Sequence, residues 1–211
     1  MTDQNRPIRL YRHALSGHSH RVELFLSLLG LSADRVDVDL ASGAHKSSQF
    51  LAKNPFGQVP VLEDGDVTLS DSNAILVYLA LAYDRSGTWY PADPAVAGQI
   101  QRWLSIAAGQ LASGPAAARL VTVFKAPLDH DRCKAIANAL FSVLETHLAA
   151  TRFLAGKDPT IADVAVYSYA AHAPEGGVAL DGYANLRAWI GRVEALPGFV
   201  PMQRTPLADA A

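Results

Sequence analysis

Residues 54–80, NPFGQVPVLEDGDVTLSDSNAILVYLA, constrain the fold of this chain more than any other stretch. Val59, Val61 and Leu62 lead into Asp64-Gly65, a dipeptide that readily supplies the φ > 0 positions of a two-residue hairpin turn. Val67 and Leu69 alternate on the return strand. Ser70, Asp71 and Ser72 are N-cap residue types, and Ile75, Leu76, Leu79 and Ala82 follow as the stripe of one helix. Strand, turn, strand and helix are therefore expected. Pro60 cannot donate to a ladder, so it marks a strand entry at an edge or turn, where a cis bond is one option. A strand entry with exposed backbone then lies close to a helix N-terminus with its N–H groups. That pair suits a small peptide-like anion.

Upstream, Ile8 and Leu10 alternate with Arg9 and Tyr11 as a short strand. Val22, Phe25, Leu26 and Leu29 fall on one helix face, which stops at Gly30 as an αL cap would. Val36, Val38 and Leu40 alternate with Asp37 and Asp39, a second strand, and His45 to Lys53 reads as a short irregular helix. The order β-α-β-α-β-β-α is that of a thioredoxin-like fold, a four-stranded mixed sheet with helices on both faces.

RSGTWYPADP at 85–94 is rich in turn formers and reads as a linker. Beyond it the strand signal disappears. Asp93-Pro94 starts a helix as N-cap and N1, with Val96, Ile100, Trp103, Leu104, Ala107 and Leu111 on one side. Ser113-Gly114-Pro115 interrupts the next stretch, and Cys133, Ile136, Ala137, Leu140 and Leu144 form a further stripe. Thr160-Ile161-Ala162-Asp163 has the form of a capping box, and Leu186, Ile190 and Val193 make a last helix ending near Pro197-Gly198. The expected boundaries are 1–84 for the α/β thioredoxin-like unit, 85–94 for the linker and 95–211 for an all-α unit.

Half of the 211 residues are hydrophobic and 18% are charged, a globular composition. A net charge of −2 offers no long-range attraction for nucleic acid or an anionic membrane, so neither is an expected partner. One cysteine, Cys133, excludes an intrachain disulfide and a cysteine-based metal cluster, and no metal is expected. MTDQNRPIRL has no apolar h-region and no stretch reaches membrane-spanning length, so the expected location is the cytoplasm.

The combination Asn-Pro, Gln-Val-Pro, Asp-Gly and Asp-Ser-Asn-Ala-Ile in one continuous stretch resembles the second half of the glutathione-binding domain of cytosolic glutathione transferases. The capping box at Thr160 resembles that family's buried one in placement. The likeness is specific through residue 84 and mostly architectural afterwards. It implies a homodimeric detoxifying transferase that uses glutathione as co-substrate and joins its thiolate to a small hydrophobic electrophile. It also implies that Val59 and Pro60, with a cis bond, hold the cysteinyl part of glutathione, and that Gln58 adjoins them. Asp71 would meet the γ-glutamyl ammonium, while Ser72 and the helix N-terminus take its carboxylate. His45 and Lys46 resemble a theta-class pair whose histidine meets the glycyl carboxylate.

Ser16-Gly17-His18-Ser19-His20-Arg21-Val22 is similar to the zeta-class Ser-Ser-Cys-Ser-x-Arg-Val signature and to a nu-class Thr-Pro-Asn-Gly-x-Lys. The type implied is bacterial and theta/zeta/nu-like. Ser16 falls on the catalytic serine, and His18 stands as a second donor or a proton shuttle. Gly17 and His18 depart from the zeta pattern, which weighs against zeta-type isomerase chemistry. Tyr11 is the rival donor, because other classes use a tyrosine at the end of strand 1.

A thiol of pKa about 8.5 is only a few per cent ionised at neutral pH, and each unit of depression requires about 1.4 kcal/mol. One hydrogen bond to the charged sulfur supplies roughly 1.5–3 kcal/mol, so a single hydroxyl suffices. Trp103 and Tyr167, with Tyr169 and His172, are candidates for the electrophile pocket, although aromatics at helical spacing are more often core. Arg119 reads as a surface arginine with a possible reach to the cleft. Three other activities stay open: a nu-like glutathione-dependent disulfide reductase, a glutathione-dependent lyase or isomerase, and a non-catalytic binding or regulatory protein.

Overall fold

A computed structural model describes residues 7–205. The chain divides into two compact units, one of Met1–Arg85 with Pro197–Gln203, the other of Ser86–Leu196 with Arg204–Ala211. The expected boundary near residue 85 is close to this division, but the segment after the last helix returns to the first unit.

In the first unit the strands are β1 (Ile8–Arg12), β2 (Ala33–Asp37), β3 (Val61–Asp64) and β4 (Val67–Ser70). β2 lies earlier than its alternating pattern suggests, so Val36 and Asp37 are in it and Val38, Asp39 and Leu40 follow its end. They lie in the order β2-β1-β3-β4, with β1 parallel to β2 and antiparallel to β3, and β3 antiparallel to β4. This is the mixed four-stranded sheet of a thioredoxin-like fold. Leu10 and Leu62 are paired in register and fully buried. Between the strands run α1 (Gly17–Leu28), a short 3-10 turn at Ala44–Lys46, α2 (Ser48–Leu51) and α3 (Ser72–Tyr83). Val22, Leu24 and Phe25 of α1 and Ile75, Leu76 and Leu79 of α3 are fully buried, each removal from water favouring the fold by roughly 1.5–3 kcal/mol. Ala82, expected in the α3 stripe, is exposed, and Ala80 is buried instead.

The β3–β4 turn is shifted by one residue from the sequence expectation. Asp64 pairs with Val67, so the loop is Gly65-Asp66, with Gly65 at φ 58 in the first central position. Asp64 itself is a buried strand end. Its carboxylate accepts from the hydroxyls of Tyr78 (2.7 Å) and Tyr83 (2.6 Å), and so pins α3 to the hairpin. Burial, then the neighbouring carboxylate, pushes the Tyr83 phenol up to about 12.

Residues 197–203 lie along α1. The His20 ring donates from Nε2 to the Val200 carbonyl (2.9 Å), and the Ser27 hydroxyl donates to the Gly198 carbonyl (2.7 Å). Gly198 has φ +87, and a Cβ there would stand 2.8 Å from the Ser27 carbonyl oxygen, so only glycine fits.

The second unit is helical: α4 (Pro94–Ala108), α5 (Ala117–Phe124), α6 (His130–Ala150), α7 (Ile161–Ala171) and α8 (Ala184–Glu194). Asp93 caps α4 by accepting from Ala95 and Val96, with Pro94 at N1 as its lack of a donor favours. Residues 112–116 form a π turn carrying Pro115. There Gly114 lies against the α6 backbone so closely that a Cβ would come within 2.9 Å of Ala137 N. Residues 161–170 of α7 are all buried, which makes it the central helix. Its capping box is present, and the fully buried Asp163 also accepts from Leu154 N (2.9 Å) and Trp189 Nε1 (2.8 Å). The expected linker is partly fastened, since Ile161 N donates to the Trp89 carbonyl.

Candidate active site

Ser16 sits at the N-cap of α1 with extended φ and ψ. Its Oγ accepts from Ser19 N (3.2 Å), while Ser19 Oγ accepts from His13 N (3.2 Å), so the loop between β1 and α1 is held from both sides. A hydroxyl that accepts a capping bond retains its proton. Capping and thiolate donation are therefore compatible at Ser16. The twelve-residue helix also directs the positive end of its dipole toward the same place.

His18 and Arg21 stand one turn apart on α1 and meet α3. His18 Nδ1 lies 3.2 Å from Ser72 Oγ, and Arg21 Nη1 lies 3.0 Å from His18 Nδ1, 3.1 Å from Ser72 Oγ and 3.4 Å from Asn73 Oδ1. Arg21 is 1% exposed and Ser72 2%. Burial first, then the Arg21 charge, lowers the His18 pKa to about 3, so the ring is neutral at physiological pH. A proton shuttle near neutrality does not fit that value. The Ser72 hydroxyl is occupied by His18 and Arg21 of α1.

Asp71 caps α3 through Oδ1 to Ala74 N (2.9 Å) and is exposed. Its φ of 74° lies in the left-handed region, which is uncommon for a residue other than glycine but more accessible to aspartate. Val59-Pro60 is a cis peptide, with Pro60 buried, Val59 half-buried and Gln58 exposed.

The loop that carries them is shaped by Asn54, a residue to which the sequence assigned no part beyond its Asn-Pro motif. Asn54 is 3% exposed; its Nδ2 donates to the Gln58 carbonyl (2.8 Å) and its Oδ1 accepts from Phe56 N (3.1 Å). Lys46 donates to the carbonyls of Phe56 (3.3 Å) and Gly57 (3.2 Å), so it braces this loop. His45 sits in the neighbouring 3-10 turn, and its Nδ1 is buried with no hydrogen-bond partner among the described residues. A buried nitrogen of that kind costs free energy unless something binds it.

The Tyr11 hydroxyl donates to Glu63 Oε2 (3.0 Å), and the Lys53 ammonium, itself bonded to Glu63, stands 4.9 Å from the Tyr11 ring centroid. The rival donor is thus committed to the sheet.

In the helical unit, Trp103 is 1% exposed and donates to the Leu154 carbonyl (2.8 Å), and Tyr167 is 2% exposed and donates to Glu194 (2.8 Å). Both are core side chains there. Arg119 is buried, in contrast to the surface position expected for it. Its Nε meets Glu175 Oε2 (2.6 Å), and Glu175 also takes His172 Nδ1 (2.6 Å) and the Thr205 hydroxyl (2.6 Å). His172 and Arg119 therefore belong to one buried network. Among the described residues no group of three or more His, Cys, Asp or Glu could hold a metal ion, and no helix is long and apolar enough to cross a membrane.

Residues 6–81 match the family profile "Glutathione S-transferase, N-terminal domain" and residues 116–197 match "Glutathione S-transferase, C-terminal domain". The chain is 33% identical to glutathione S-transferase 3 of Zea mays over 97% of this chain and 99% of that one. It is 32% identical to glutathione S-transferase theta-2 of Homo sapiens over 90% and 82%. A crystal structure of a glutathione S-transferase from Pseudomonas fluorescens superposes with a TM-score of 0.88 at 32% identity, covering 93% of this chain and 99% of that one. A Drosophila mojavensis glutathione transferase homolog, solved with bound glutathione, gives 0.82 at 28% identity, covering 90% and 89%. A thioredoxin-like unit with Ser16 capping α1, a cis Val59-Pro60 and an exposed Asp71 thus coincides with matches to both family domains, and the chain belongs to the glutathione S-transferases, enzymes that use glutathione as co-substrate.

Proposed function

We propose that this transferase joins the glutathione thiolate to a small hydrophobic electrophile, with Ser16 as the donor that stabilises the sulfur. The observation that carries this reading is the Ser16 cap: its oxygen takes the Ser19 N–H and its own proton remains to be given, at the positive end of α1. His18, neutral and tied to Ser72, assists as a neighbour of that donor. The backbone at Val59-Pro60, beside Gln58, takes the cysteinyl part. The His45 Nδ1 faces the need for a partner that the glycyl carboxylate would meet through a proton on that nitrogen. Asp71 pairs with the γ-glutamyl ammonium, and the α3 N-terminus at Ser72 takes the adjoining carboxylate.

The attacking atom belongs to glutathione, and Ser16 donates without becoming a nucleophile. Losing a bond of roughly 1.5–3 kcal/mol in Ser16→Ala lowers turnover of an aryl halide about 10- to 150-fold at neutral pH. The defect shrinks at alkaline pH, where glutathione ionises unaided. Ser16→Gly separates the two roles of the hydroxyl, because glycine caps nearly as well as serine but has nothing to donate. A wild-type thiol pKa in both variants would remove Ser16 from the chemistry. Turnover of small glutathione mixed disulfides in place of the aryl halide would favour the reductase reading.

The enzyme works in the cytoplasm as a homodimer. Phe56 and Leu81 of the first unit are 75% and 70% exposed, apolar area that a second copy would cover. Light scattering at micromolar concentration should give twice the mass of the chain; a monomer mass would defeat this assembly.

A further inference from the structure

The partners of Arg21 say which protons His18 can carry. Arginine has five N–H donors and no acceptor, so the atom 3.0 Å from Arg21 Nη1 must present a lone pair. That atom is His18 Nδ1. A ring whose Nδ1 carries no hydrogen is neutral and bears its proton on Nε2. The same guanidinium nitrogen is 3.1 Å from the Ser72 hydroxyl and 3.4 Å from the Asn73 amide oxygen, so α1 and α3 are locked around it.

We propose that Arg21 is a positioning residue for the glutathione site: it holds His18 as the neutral Nε2–H tautomer throughout turnover and fixes that ring against Ser72. The proposal rests on the reading that the starts of α1 and α3 hold glutathione. In consequence His18 exchanges no proton with the reaction, and the pH dependence of the rate belongs to the glutathione thiol alone. The charged group acting on His18 is Arg21 from its own helix; α3 contributes the Ser72 hydroxyl and, through Arg21, the Asn73 amide. The low pKa of His18 agrees with this arrangement.

The test is nitrogen NMR of the histidine rings in the wild-type protein, with the His18 signals identified by their loss in His18→Gln. Between about pH 5 and pH 8, where an ordinary histidine titrates, His18 should stay neutral with its proton on Nε2. A titration in that range, or a proton on Nδ1, overturns the proposal without the need for any further variant. Arg21→Met removes the smaller of the two causes, so the His18 pKa should rise while burial still holds it below the ordinary value, and the ring proton should no longer be confined to Nε2. Arg21→Lys, which keeps a donor and a charge, should restore the wild-type pattern. If Arg21→Met shows neither change while remaining folded, Arg21 is only packing. Calorimetry of wild-type protein with glutathione separates the two levels: absent binding defeats the proposed function and leaves the tautomer result standing, while binding with a titrating His18 defeats this inference alone.

Discussion

Among the described residues each unit buries one arginine almost completely, and the two are put to different uses. Arg119 in the helical unit meets a carboxylate at 2.6 Å, and Glu175 collects His172 and Thr205 around the same pair. Arg21 in the thioredoxin-like unit meets an imidazole nitrogen, a hydroxyl and an amide oxygen at the corner where two helices begin. The first arrangement matches charge to charge in the core, where breaking it is costly. The second sets hydrogen-bond polarity among neutral groups at the starts of α1 and α3, where we propose that glutathione binds. A buried arginine is thus a structural clasp in one region and an organiser of donors in the other.

Glu175→Gln strikes the clasp hardest. It leaves the Arg119 charge buried without its carboxylate, which costs about 3–5 kcal/mol, read as a lower urea midpoint. Burial alone would raise the Glu175 carboxyl, but bonds from Thr205, His172 and Arg119 hold it below the usual carboxylate value; burial also lowers His172. Both folded pKa values lie below their unfolded ones, so the unfolded chain takes up protons first on acidification. Stability is complete above the ordinary histidine value of 6.5 and is lost as the pH falls below it. The variant should flatten the carboxylate part of that acid slope. An unchanged midpoint would mean that Arg119 and Glu175 contribute nothing as a pair.

Asp71→Asn probes the other region with a smaller effect. Asparagine preserves the cap and tolerates positive φ, so the fold should stand. The lost counter-charge should weaken glutathione binding by roughly 1.5–3 kcal/mol, with little movement of the thiol pKa. Equal affinity by calorimetry would reduce Asp71 to a helix cap.

Cys133→Ala is the smallest perturbation and a control for both. Cys133 is 7% exposed on the buried stripe of α6, and a buried free cysteine is usually inert. Turnover should stay within a few-fold of wild type. A large loss in a folded variant would bring the helical unit's own chemistry into question.

The sequence made local decisions legible and hid distant ones. The caps at Asp93, Thr160 and Asp71, the stop at Gly30 and the cis-capable Val59-Pro60 are all written within a few neighbouring residues. The partners of the buried arginines lie 51 residues from Arg21 at Ser72 and 56 residues from Arg119 at Glu175, where no local period points to them. The same reason explains the shifted turn. Asp-Gly is a turn signal locally, yet two tyrosines of α3 hold Asp64 as a strand end. Trp103 and Tyr167 fall on apolar helix faces, a pattern that core and pocket wall share; the hydrogen bonds to Leu154 and Glu194 show their place in the core. Asn54 was visible as part of an Asn-Pro turn, but its grip on the Gln58 carbonyl appears only when the loop is closed.

The strap formed by residues 197–203 has a consequence for how this protein is made. The bonds that His20 and Ser27 send to Val200 and Gly198 complete a unit whose first 85 residues leave the ribosome long before the strap does. Throughout synthesis of the helical region, α1 waits without its strap-facing partners, and the thioredoxin-like unit reaches its finished form only after residues 197–203 have been made. Exchange of that unit between related proteins as a single contiguous gene segment would leave the strap behind.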